Sequence, residues 1–269
     1  MEKMAFFDLH IVGKDFKTDL ENVSEAFRLG WTSVGLIYSE KNFNLHFEYK
    51  KQLISKIEDD FDLNQNNTNM SSLNNFKSIY FGLELSSNNP NDIRKYNQKY
   101  SNKYDLFMVL GGSDKINRLV CENRQVDILS KPYNKRHDCG INHVLAKLAF
   151  DNNITIELCF NDLLSSFLSY RSKILSYFRD IILLQRKFKF PLIFSSKGSS
   201  IFDLRSPFDE IAILKSLDLN DNEIKSSLNT FAYDLIKFNK EKKDMPVLGV
   251  KCLNKEDIKN NNVSGDYKQ

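Results

Sequence analysis

Several side chains of this 269-residue sequence are of types that do chemistry. Asp8 and His10 end the first apolar run, and His137, His143 and Asp203 could reach the same end of a folded barrel. Histidine and carboxylate donors together suit a divalent metal, which polarises phosphate esters and lowers the pKa of bound water. Glu157 lies within an apolar run, and Asp162 lies just past it. Glu157 is expected to face a barrel interior beside a basic partner, not to act as a base. The run Ser195-Ser196-Lys197-Gly198-Ser199-Ser200 has the composition of a phosphate cradle but lacks the GxxxxGK[ST] spacing, so no nucleotide site is expected there. No Ser-His-Asp or Cys-His arrangement follows from spacing. Cys121, Cys139, Cys159 and Cys252 form no CxxC pair and no zinc pattern. They read as reduced thiols of an intracellular, cytoplasmic protein.

The cations carry more information. The formal net charge is only +3. Between Lys131 and Arg205, however, twelve Lys or Arg stand against six Asp or Glu. A polyanion such as RNA is held by several Lys and Arg at phosphate spacing, with Arg forking two oxygens. Lys131, Lys135, Arg136 and His137 follow one apolar run, Arg171 follows the next, and Lys197 and Arg205 follow the one after. The competing expectation is that Arg136 and Arg205 pair with Asp138 and Asp203. No apolar run approaches the ~18 residues that span a membrane, and Asp8 and His10 break any leader pattern at Met1.

The elements that must position these groups read as alternating strands and helices. Val126–Leu129 is a strand. The apolar face Ile141, Val144, Leu145, Leu148, Ala149 makes a helix with Asp138 as its expected N-cap, and Ile154–Phe160 is the next strand. Strand, helix, strand in about thirty-five residues is a βαβ unit with parallel strands. Further strands are expected at Met4–Val12, Trp31–Tyr38, Ile79–Leu85, Leu106–Leu110 and Pro191–Ser195. Helices are expected at Asp15–Leu29, Leu45–Ile57, Asp92–Ser101, Lys115–Asn123, Tyr170–Phe188, Pro207–Leu217 and Asn222–Phe238. Asn64–Asn75 reads as a surface loop and Val247–Val250 as an optional edge strand. One domain, 1–239, and a charged, disordered tail, 240–269, complete the division. Periodicity alone does not choose between a barrel and an open doubly wound sheet.

The ordered set Asp127, Ser130, Pro132, Arg136, Asp138, Gly140, Asn142 through Ala149, Ile156-Glu157, Asp162 through Leu164, Tyr170-Arg171, Pro191 through Ser195 and Asp203 through Pro207 resembles ribonuclease P protein component 3. The resemblance spans residues from about 4 to about 215. It implies an α/β fold: a TIM-like barrel of about seven parallel strands with surrounding helices. It also implies a protein subunit of the ribonucleoprotein that removes the 5′ leader from precursor tRNA. The partners would be the ribonuclease P RNA, precursor tRNA and protein component 2. Catalysis would belong to the RNA and its Mg²⁺, leaving the chain without catalytic residue, metal or cofactor. In such a barrel the loops after the strands share one rim. The expected RNA-binding residues are therefore Lys131, Lys135, Arg136, His143, Arg171, Lys197 and Arg205. The alternative is a stand-alone metal-dependent phosphoesterase of the polymerase-and-histidinol-phosphatase barrel type. That type usually opens with His-x-His, and position 8 here is Asp. A third class, a small-molecule barrel enzyme, would need a deep pocket at the rim.

Overall fold

The computed structural model describes residues 5–61, 77–87, 89–100, 103–243 and 245. The expected loop at 64–75 and the optional strand at 247–250 lie outside them. Seven strands pair in sequence order, every pair parallel: β1 (Phe7–Val12), β2 (Ser33–Ser39), β3 (Ser78–Leu85), β4 (Leu106–Leu110), β5 (Ile128–Ser130), β6 (Thr155–Cys159) and β7 (Leu192–Ser195). The β7–β1 seam is joined by one bridge, Ile11 to Gly198, and by the Val12 N–H donating to the Gly198 carbonyl at 2.8 Å. The sheet is thus a nearly closed, TIM-like barrel, as expected.

Alternation along the strands sorts the core into two shells. Phe7, Leu9, Ile37, Tyr80, Leu106, Met108, Ile128 and Ile193 pack together inside the barrel. The intervening positions, among them Val34, Leu36, Phe81, Phe107, Ile156 and Leu158, pack outward against helices. Those helices are α1 (Phe16–Leu29), α2 (His46–Asp60), α3 (Pro90–Tyr100), α4 (Asp114–Glu122), α5 (His143–Asp151), α6 (Phe160–Ser165), α7 (Leu168–Phe188), α8 (Pro207–Ser216), α9 (Asp221–Lys225) and α10 (Phe231–Lys243). Ala232, Leu235 and Ile236 of α10 close the strand-start end of the barrel.

Several boundaries move for local reasons. Asn142, not Asp138, caps α5: its Oδ1 accepts from the Val144 and Leu145 N–H groups, both at 3.0 Å. Gly140, at φ 72°, intervenes, and a side chain there would collide with the Pro132 carbonyl. Asp138 instead accepts from the Gly140 N–H. The buried face of α5 is Leu145, Ala146 and Ala149, and Val144 stays exposed. The helix expected over Asn222–Phe238 is interrupted by a π-turn at Ser226–Thr230. The tail does not begin at Lys240, because α10 continues to Lys243. Lys242 and Lys243 pair with Asp127 and Asp105.

Candidate nucleic-acid interface

The loop after β5 is the centre of the candidate site. Asn117 of α4 donates to the Pro132 and Gly140 carbonyls at 2.9 and 2.8 Å, which pins both ends of that loop. Lys131 and Lys135 both take left-handed backbone, φ 49° and 55°. The Lys131 ammonium lies 2.6 Å from Asp162 Oδ1, and the Tyr133 hydroxyl donates to Asp162 Oδ2. Arg136 is saturated. It forks Asp138 at 2.5 and 2.8 Å, pairs with Asp114 at 2.8 Å and donates to the Gly112 carbonyl. Hydrogen bonds from Arg136 hold the Asp138 carboxyl below its usual range, so this pair persists at neutral pH. Arg136 therefore builds the loop; a phosphate would have to displace a carboxylate to be forked by it.

Lys135, His143 and Arg171 are exposed, and among the described residues none makes an ion pair. These three, with Lys131, stand on the strand-end rim.

Lys197 and Arg205 do not join them. Lys197 continues the inward parity of Ile193 and Ser195, and its ammonium lies 2.5 Å from Glu84 and 3.3 Å from the Ser130 hydroxyl. After Gly198 the chain turns down the outside of the barrel. The Arg205 carbonyl accepts from the Trp31 indole, which precedes β2, and Phe208 packs edge-on against Phe6, which precedes β1. Arg205 thus sits toward the opposite end, its guanidinium donating to the Phe202 and Leu204 carbonyls and not to Asp203. Asp203 instead accepts from the N–H and hydroxyl groups of Ser199 and Ser200, which consumes the donors of the serine-rich run.

A polar layer fills the barrel mouth beneath the rim. His10 Nδ1 lies 2.9 and 3.0 Å from the two Glu157 oxygens, and the Ser195 hydroxyl donates to Glu157. Burial works to raise the Glu157 carboxyl, but the charge and bond of His10 outweigh it and pull it down to about 2. Glu157 thus faces the interior beside basic partners, as the sequence predicts. Lys197 is likewise held protonated: burial opposes its charge, and the carboxylates of Glu84 and Glu157 restore it. A second carboxyl pair lies outside the seam. Asp8 accepts from the His10 and Ser196 N–H groups through Oδ1, but its Oδ2 and both oxygens of buried Glu210 have no partner among the described residues. Burial pushes Asp8 up to about 6. Burial, followed by the charge of Asp8, pushes Glu210 well above its usual range.

The family described as RNase P subunit p30 matches residues 5–244. Ribonuclease P protein component 3 of Methanothermobacter thermautotrophicus is 36% identical over 250 residues, 93% of this chain and 96% of that one. The protein of the same name from Methanococcoides burtonii is 31% identical, covering 94% and 96%. This chain belongs to the ribonuclease P p30 subunit family. Among solved structures, a chain of an archaeal ribonuclease P imaged with mature tRNA matches with a TM-score of 0.74 and 26% identity, over 93% of this chain and 99% of that one.

The family's barrel also resembles, in fold alone, the zinc-bound histidinol phosphate phosphatase of Lactococcus lactis (TM-score 0.52, 13% identity, 80% and 92% coverage). The residues present do not fit such a metal. His10, Glu157 and Cys159 have ligand atoms within 4.8 Å of one another. Yet Glu157 spends both oxygens on His10, and the Lys197 ammonium already supplies positive charge beside it. Burial and Glu157 push the Cys159 thiol well above its usual range, so it is no thiolate ligand. His143 and His137 are exposed elsewhere on the surface.

Proposed function

We propose that this chain acts within ribonuclease P, the endoribonuclease that removes the 5′ leader of precursor tRNA, by holding the enzyme's RNA on its strand-end rim. The observation that carries this reading is a family match along nearly the whole chain, 36% identical to one component 3. The chain contributes scaffold and phosphate contacts, with Lys135 and Arg171 as rim cations that make no ion pair among the described residues. Catalysis belongs to the RNA and its Mg²⁺, consistent with a barrel mouth whose charged groups satisfy one another. Protein component 2 is the expected neighbour, and the cytoplasm the expected compartment. Among the described residues no helix is long and apolar enough to cross a membrane. The alternative of a stand-alone phosphoesterase is disfavoured by the saturated His10–Glu157 pair. Native purification followed by sequencing of attached RNA tests the proposal. Enrichment of ribonuclease P RNA supports it. A protein free of that RNA, carrying stoichiometric metal, would overturn it.

A further inference from the structure

Two cavities lie side by side on the rim and share Asn134. One, of about 310 Å³, is lined by Lys131, Asn134, Phe167 and Tyr170 among others. The other, of about 340 Å³, is lined by Ser86, Ser87, Gly111 through Ser113, Asn134 and Lys135. Each is of the size that small ligands occupy. Their walls differ in kind: the first is aromatic, the second is hydroxyl, backbone amide and ammonium.

The aromatic end is unusually bare. Phe167 is 79% exposed, Leu168 91% and Tyr170 52%. Exposed apolar residues grouped this closely mark a contact site, whereas scattered ones need no explanation. Leu168 also holds left-handed backbone at φ 41°, which turns the chain sharply between α6 and α7 and leaves its side chain outermost. Charge says what covers the group. Lys135 and Arg171 flank it without ion-pair partners among the described residues, and Lys173 is exposed two residues further on. The carboxylate in the wall, Asp162, is already neutralised by Lys131 and the Tyr133 hydroxyl. An aromatic surface inside an unneutralised cationic border suits a nucleobase with its phosphates, because every base offers a π-face whatever its sequence.

We propose that this groove binds an unpaired RNA nucleotide, its base against Tyr170 and Phe167 and an adjoining phosphate at Lys135 and the Gly111–Ser113 turn. The proposal rests on the ribonuclease P reading and names the contact that reading leaves open. Asn134, between the two cavities, is placed to meet the base edge. The groove requires unpaired RNA, since a stacked, paired base cannot present its face to Tyr170.

The test measures dissociation constants of the full chain for ribonuclease P RNA from the same genome, over a series of salt concentrations. Tyr170→Ala is expected to weaken binding about tenfold with the salt slope unchanged, whereas Tyr170→Phe stays within about twofold of the parent. Lys135→Ala is expected to reduce the slope by about one unit. Tyr170 is half-exposed, so circular dichroism and melting should match the parent and separate binding from folding. A parent that binds RNA while Tyr170→Ala binds equally well overturns the groove alone. A parent that binds no ribonuclease P RNA overturns the function on which it rests. Loss of binding to a partner protein subunit, with RNA affinity intact, would make this a protein-docking face and also overturn the groove.

Discussion

Lys197 and Glu84 meet inside the barrel mouth, ammonium to carboxylate at 2.5 Å, although the sequence places Lys197 among the residues expected to bind RNA. Breaking a buried pair leaves an uncompensated charge, which costs roughly 3–5 kcal/mol. Lys197→Met should therefore destabilise the protein on that scale in chemical denaturation, while the salt slope of RNA binding stays at the parental value. A lowered slope with stability intact would return Lys197 to the RNA interface.

His10 makes the same distinction between scaffold and catalyst. Its ring bonds Glu157 and is buried, so His10→Ala should cost roughly 3 kcal/mol by exposing a buried carboxylate to incomplete pairing. Cleavage by the reconstituted particle, measured at saturating, folded protein, should hardly change. A true metal ligand or general base would cost ~10² or more in rate. A loss of that size in a well-folded variant would revive the metallo-enzyme reading.

The carboxyls give opposite pH dependences. Glu157 has its folded pKa lowered to about 2, so its contribution is present above its unfolded value and is lost as pH falls from about 4.5 toward 2. Asp8 and Glu210 have raised folded pKa values, so stability is greatest below their unfolded values and declines as pH rises through about 6 for Asp8 and further for Glu210. Glu210→Gln keeps the shape and removes the ionisation. Its melting temperature should equal the parent's near pH 4 and exceed it increasingly toward pH 8, by about 2–4 °C per kcal/mol relieved. An advantage that is constant across pH would refute the buried-carboxyl account.

The end of α10 can be tested by truncation. The Asn239 amide donates to the Asp105 carbonyl at 3.0 Å and to buried Asp127 at 2.9 Å. Removing residues 246–269 should leave the melting temperature nearly unchanged, because that stretch has little apolar content. Removing residues from Asn239 onward should lower it by several degrees, on the scale of ~1–3 kcal/mol for orphaned buried groups. Equal effects from both truncations would contradict this division.

Much of this architecture is legible in the residues. The strands were readable because each is a short β-branched or aromatic run bounded by polar residues, and β4 at Leu106–Leu110 coincides with its expected bounds. The short helix α6 was not, since Phe160-Asn161-Asp162-Leu163-Leu164-Ser165 is too short to show a helical period and follows the strand directly. The site was only partly legible. A lysine's charge does not say which way it points, but strand parity does: Ile193, Ser195 and Lys197 face inward together, as do Tyr80 and Glu84. Arg205 was misplaced because nothing local tells that the chain descends after Gly198; the Trp31 indole bond across 174 residues does that. Phe167 was not singled out in the sequence and Tyr170 read as the start of a helix; their exposure appears once α6 and α7 are folded.

The most direct test of the account is the salt dependence of binding to ribonuclease P RNA by the parent and by a Lys135→Ala, Arg171→Ala double variant. Both cations are exposed and, among the described residues, outside any ion pair, so their loss should leave the fold intact. If the rim holds RNA phosphates, the slope of log affinity against log salt should fall by about two units and affinity should drop at low salt. Identical slopes for two equally folded proteins would contradict the claim that this rim carries the RNA.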